Sequence, residues 1–125
     1  MSRNELYRAS GAIIILVTGL IHLYDAPGEY QEALYMGILF IVFTLLSIVA
    51  AIGILRDQLI WGWLLGALLS LGAIVGYLLS RTIGLPLMEV EDWGPPLAYF
   101  SIFFEIVYFI PLVGFFSPRL QEASC

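Results

Sequence analysis

His22 and Glu105 are the residues of this 125-residue chain best placed to do chemistry, because each ionisable side chain interrupts a long apolar run. Placing an ionised carboxylate at the centre of a bilayer costs about 2.5–3.5 kcal/mol on insertion scales, so such a residue is a functional candidate by default. An imidazole and a carboxylate at one depth can relay a proton, accept hydrogen bonds from a small ligand, or ligate a divalent metal. In the metal reading His22 supplies nitrogen and Glu105, with Asp25 or Glu32, supplies oxygen, a donor set that suits zinc, manganese or iron. Arg81 adds a positive charge able to attract an anion, and Asp25, Glu29 and Glu32 supply a carboxylate rim. The structural alternative is that Glu105 is a buried acid satisfied by His22, a tyrosine or a serine, and fixes helix pairing. Bis-histidine haem ligation is unavailable to one chain with a single histidine. No serine lies in a strand-to-helix elbow that would make a hydrolase, and no phosphate-cradling glycine loop is present.

The elements that must position these groups follow from composition. Hydrophobic residues make up 61% of the chain and charged residues 12%, against roughly half and a quarter in soluble domains. A particle this small cannot hide so much apolar surface in its own core, and lipid must cover the remainder. The net charge is −5, from 10 acids and 5 arginines, with no basic patch; a nucleic-acid partner is excluded on that ground. Cys125 is the single cysteine, so an intrachain disulfide is impossible.

Four apolar runs are long enough for membrane helices: 9–24, 33–55, 59–80 and 97–117. They are continuous and far longer than barrel strands, which fixes the fold class as an all-α integral membrane four-helix bundle, up-down-up-down, in a single domain. The first run could be a secretory signal, since Arg3 and Arg8 precede it, but Tyr24-Asp25-Ala26-Pro27 offers no small-x-small cleavage site; it is expected to remain as an anchor.

Arginine placement sets the expected direction. With both termini cytoplasmic, Arg3, Arg8, Arg56 and Arg119 lie inside and Arg81 alone lies outside, as the positive-inside rule requires of a cell-membrane protein. Trp61 and Trp63 are then expected in an inner aromatic belt, and Trp93, Tyr30 and Tyr99 in an outer one. The link Arg56-Asp57-Gln58 forces spans two and three into a hairpin. The link Arg81–Pro96, punctuated by Gly84, Pro86, Gly94, Pro95 and Pro96, is the longest connection and a candidate lid.

Projection at 100 degrees per residue sorts the faces. Gly11, Thr18, His22 and Asp25 share a stripe; so do Ala33, Gly37, Thr44, Ser47 and Ala51; so do Ala98, Ser101 and Glu105, with Tyr108 at the edge. The third span gathers Gly62, Gly66, Gly72 and Gly76, which predicts a central helix tightly packed on two neighbours. Counting about 1.5 Å per residue places Glu105 roughly 12 Å and His22 roughly 10 Å below the outer surface of a ~30 Å core. If the first helix stops near Tyr24, a polar hollow opens beneath the Asp25–Glu32 link.

The strings Tyr77-Leu78-Leu79-Ser80-Arg81-Thr82-Ile83-Gly84-Leu85-Pro86 and Trp93-Gly94-Pro95-Pro96-Leu97, together with Glu105, His22 and Glu32-Ala-Leu-Tyr-Met-Gly37, resemble a signature of uncharacterised prokaryotic four-helix membrane proteins. That resemblance covers most of the chain. It implies four spans and a shared outer-loop motif, and it carries no activity.

The functional expectation is binding of a small ligand, ion or proton at the outward-facing hollow by His22, Glu105 and Arg81. The cofactor expectation extends no further than a divalent metal. The alternative class is a non-catalytic accessory subunit, with a homo-oligomer or a larger membrane complex as its partner. No nucleophile or cofactor motif supports an enzyme.

Overall fold

The computed structural model describes residues 2–56, 59–93 and 96–124, with side chains omitted at 59 and 119–124. The regular elements among these residues are all helices: α1 (Arg3–Glu32), α2 (Leu34–Leu55), α3 (Leu59–Arg81), α4 (Pro96–Val107) and α5 (Phe109–Ser124). Four spans are long and apolar enough to cross a membrane, the last running Pro96–Pro118 through α4 and α5. The protein is a multi-pass membrane four-helix bundle. Large aliphatic side chains such as Leu20, Leu45, Leu68 and Ile110 stand exposed on its flanks, where lipid covers them. The Asp57–Gln58 part of the hairpin link, Gly94, Pro95 and Cys125 lie outside the described residues.

The last span breaks at Tyr108, and Pro111 explains it. Proline has no N–H to return to the carbonyl four residues back, at Val107, and its ring crowds that carbonyl. The flanking turns hold, with Tyr108 N bonded to Phe104 O at 2.9 Å and Leu112 N to Tyr108 O at 3.4 Å. Tyr108 is thereby turned fully inward, where its hydroxyl donates to the Trp63 carbonyl at 2.9 Å.

The first helix differs from the sequence expectation. It does not stop at Tyr24 but continues to Glu32, and a single extended residue, Ala33 (φ −157°, ψ 132°), separates it from α2. Asp25-Ala26-Pro27-Gly28 reads as a breaker, yet Pro27 is exposed and a Cβ on Gly28 would meet nothing within 4 Å. The helix therefore bears the bond Pro27 cannot make and the crowding of its ring against the Leu23 carbonyl, with no clash at Gly28. The Tyr30 ring lies over Gly37 of α2, so tertiary packing holds the last turn. The outer link expected between the first two spans is thus itself helical, and Asp25, Glu29 and Glu32 become one stripe at spacings of four and three.

Helices α1 and α2 approach most closely at Gly19, whose missing side chain admits Ser47. Thr44 Oγ1 donates across this seam to the Gly19 carbonyl at 2.8 Å. Most of each small-residue stripe is buried, Gly11, Thr18 and His22 on one helix and Gly37, Thr44, Ser47 and Ala51 on the other. Asp25, however, is half-buried, and Ala33, expected on the second stripe, is the extended residue between the two helices. The expectation for α3 holds only at one end. Gly62 packs on the α2 backbone at Gly53 and Ile54, and Gly66 admits Tyr108, but Gly72 and Gly76 face open space. It is α1, packed on α2, α3, α4 and α5, that occupies the centre.

The apolar core lies at the hairpin end of the bundle, around Trp63, Tyr108, Phe115, Ile15 and Ile54, each 0–1% exposed. Trp63 stacks on Phe115 with ring centroids 5.2 Å apart. It is therefore a core residue and not part of an interfacial belt; a Trp beside the hairpin can turn inward because Gly11 leaves room for its six-membered ring. Trp61, Trp93 and Tyr99 remain 46–52% exposed. With the core at one end, the other end is left to the polar residues.

Candidate functional site

At the end of the bundle opposite the hairpin, the four spans diverge around a cavity of about 390 Å³. Each element contributes through its inward stripe. From α1 come His22, Asp25 and Glu29; from α2 Tyr35, Met36, Leu39 and Phe40; from α3 Gly72, Ala73, Gly76, Tyr77 and Arg81; from α4 Ala98, Ser101, Ile102 and Glu105. Gly72 and Gly76 border this space, and a Cβ at either would meet nothing within 4 Å. The volume lies within the roughly 300–1,000 Å³ of small-molecule sites, and so does the pattern of apolar walls with few polar groups.

Glu105 is 1% exposed. One helical turn earlier on α4, Ser101 donates its hydroxyl to Glu105 Oε1 at 2.7 Å, while Oε2 is buried without a hydrogen-bond partner. The Tyr77 hydroxyl, on the same cavity wall, is likewise buried and unpartnered. Buried polar atoms are almost always paired, so two unpartnered ones on the wall of one cavity stand out.

His22 is held from both sides of the seam. Its Nδ1 lies 2.9 Å from the Thr18 carbonyl, which can only accept, so Nδ1 carries the proton and Nε2 of a neutral ring is an acceptor. The ring stacks on Phe43 at 3.8 Å between centroids with 13° between planes, and tilts against Phe40 at 4.8 Å. Its orientation is fixed by packing.

Arg81 closes the cavity mouth. Its Nη1 pairs with Glu91 at 2.8 Å and donates to Ser80 Oγ at 2.7 Å, its Nε donates to the Asp92 carbonyl at 3.2 Å, and its guanidinium lies 4.1 Å from the centroid of the Tyr77 ring. The backbone adds Glu91 N to Ser80 O at 2.9 Å. Segment 82–93 is in this way strapped back over the end of α3. Gly84, at φ 87°, makes the turn out of that helix and bonds back to the Leu79 carbonyl at 2.8 Å. On the far side the Tyr35 hydroxyl donates to the Pro86 carbonyl, tying the loop to α2.

The sequence-derived candidates therefore meet in large part. His22, Glu105, Arg81, Asp25 and Glu29 all border the one cavity, whereas Glu32 lies in an adjoining polar hollow with Asp25, Glu29 and Arg81. His22 and Glu105 belong to no group of three metal-ligating side chains; among the described residues that arrangement occurs at Glu29, Glu32 and Glu91, whose oxygens lie within 4.8 Å of one another. Sequence reasoning gave Glu91, Tyr77 and Tyr35 no site role, although the two tyrosines stand in the signature strings and Glu91 is one of the acids of the same loop. Glu91 carries no local signal that separates it from Glu89 and Asp92, and nothing local shows what either tyrosine faces. Ser101 was legible, sharing a face with Glu105.

No family model matches the chain, and no curated protein or solved structure is significantly similar to it.

Proposed function

We propose that this protein is a cell-membrane binding protein that takes a small ligand into the cavity between its spans, with both termini cytoplasmic and the cavity mouth outside. His22 and Glu105 are the polar contacts in the interior. Arg81 holds the loop at the mouth, and Asp25 and Glu29 line the approach. One observation carries the reading: Glu105 Oε2 is buried, lacks a protein partner, and belongs to a side chain on the wall of a cavity large enough for a ligand. A purely structural acid would be expected to have both oxygens satisfied within the bundle. The arginine bias of four to one supports the orientation.

The test is occupancy against a filled cavity. Phenylbutylamine, phenylbutanol and phenylbutyrate share one apolar body and differ at one end. At least one should raise the melting temperature of the wild-type protein in phosphatidylcholine nanodiscs and fail to do so in Gly76→Phe, whose ring occupies the space. No stabilisation by any of them, or equal stabilisation of both proteins, would show that the cavity is not a binding site.

A further inference from the structure

We propose that the cavity is selective for organic cations, in particular a protonated amine carried on an apolar body, with Glu105 as its counter-ion. The inference rests on the binding reading above and adds the chemical class of the ligand.

Charge makes the first cut. Asp25, Glu29, Glu91 and Glu105 border the cavity, and Arg81 is the one guanidinium among its lining residues. That guanidinium is already committed to Glu91, Ser80, the Asp92 carbonyl and the Tyr77 ring. An anion entering here would pass a surplus of carboxylates and find Arg81's charge already spent. A cation is drawn in by the same surplus, and the apolar walls strengthen the attraction by lowering the local dielectric.

Hydrogen bonding makes the second. The interior offers acceptors in the unpartnered Glu105 Oε2 and the Nε2 of a neutral His22, and the unpartnered Tyr77 hydroxyl can both accept and donate. Ser101, the nearby hydroxyl donor, is already turned to Glu105 Oε1. An ammonium group has three donors and no acceptor, which matches this set.

The walls make the third. Met36, Leu39, Phe40 and Ile102 surround the polar groups. A bare metal ion requires several ligands to replace its water, and among the described residues Glu105 and His22 belong to no group of three metal-ligating side chains. An alkyl or aryl body is what such walls can bury favourably. A neutral ligand of the same shape would fill the space without supplying the counter-charge that an ionised Glu105 needs in a low-dielectric site.

The three probes decide the matter by their order. Isothermal titration into wild-type protein in phosphatidylcholine nanodiscs, corrected for empty nanodiscs, should give phenylbutylamine at least about tenfold tighter than phenylbutanol, with phenylbutyrate weakest. Glu105→Gln, which keeps the shape and removes the charge, should bring the amine to the level of the alcohol. Glu89→Gln, at an exposed acid outside the cavity lining, should leave the order unchanged. Equal affinities, tightest binding of the butyrate, or an amine preference that survives Glu105→Gln would overturn the cation assignment and leave the cavity as a binding site. Binding of none of the three would overturn both readings. The wild-type order alone is decisive if Glu105→Gln fails to fold.

Discussion

Ser101 Oγ donates to Glu105 Oε1 at 2.7 Å from one turn earlier on α4, and this is the protein hydrogen bond found for a carboxyl group that is 1% exposed. Removing it leaves both oxygens without a partner. Ser101→Ala should destabilise the protein by about 1–3 kcal/mol, the usual cost of an orphaned buried polar group. The double variant Ser101→Ala/Glu105→Leu should recover most of that loss, since it removes both partners together. Thermal unfolding in nanodiscs gives both values; a double variant no more stable than Ser101→Ala would show that the pair is not the relevant unit.

Gly19 and Gly28 lie on the same helix and predict opposite effects. A Cβ at Gly19 would strike Ser47 at the α1–α2 seam, whereas one at Gly28 meets nothing within 4 Å. Gly19→Ala should cost about 1–3 kcal/mol through overpacking. Gly28→Ala should gain about 0.5–1 kcal/mol from helix propensity. The same unfolding assay compares them.

The loop strap depends on Arg81. Its pairing with Glu91 is largely buried, with side chains 9% and 21% exposed, so losing either partner leaves the other poorly satisfied. Arg81→Met should raise amide hydrogen exchange across 82–93 by about tenfold or more, while exchange in α1 and α2 stays unchanged. Exchange spreading into α1 and α2 would mean that Arg81 supports the whole bundle and not the loop.

Trp63 anchors the core at the hairpin end, fully buried on Phe115 and beneath the Tyr108 hydroxyl. Trp63→Ala should cost about 3–5 kcal/mol, in the range of large-to-small core replacements. Tyr108→Phe should cost only about 1 kcal/mol, because the Trp63 carbonyl it leaves is still bonded within α3.

Topology is tested with thiols. Cys125 should react with a membrane-impermeant reagent from the cytoplasmic face alone, and Ile83→Cys in a Cys125→Ser background from the outer face alone. Ile83 is 78% exposed on the loop, so failure to label it from outside would reverse the orientation.

Much of this architecture was legible because bilayer thickness is a one-dimensional constraint. Run length identifies the spans and helical period identifies their inward faces, so the stripes carrying His22, Ser101 and Glu105 could be read directly. Depth by residue counting placed His22 and Glu105 near one level, and they do border one cavity. Local chemistry could not reveal that α1 runs through Pro27, since the Tyr30–Gly37 contact that holds its last turn joins two helices. Nor could it separate Gly62 and Gly66, which pack, from Gly72 and Gly76, which leave the space a ligand would fill. Trp63 faced the same ambiguity: an aromatic residue at a span end suits both belt and core, and only the vacancy at Gly11 decides between them. The pairing of Arg81 with Glu91 arises because the loop folds back, a choice made by backbone bonds to Ser80 and Leu79. The sequence by itself therefore determined which segments are long and apolar enough to span a membrane and which ionisable groups they carry. Tertiary structure alone decided which of them are satisfied and which are left open, because satisfaction depends on neighbours from other helices.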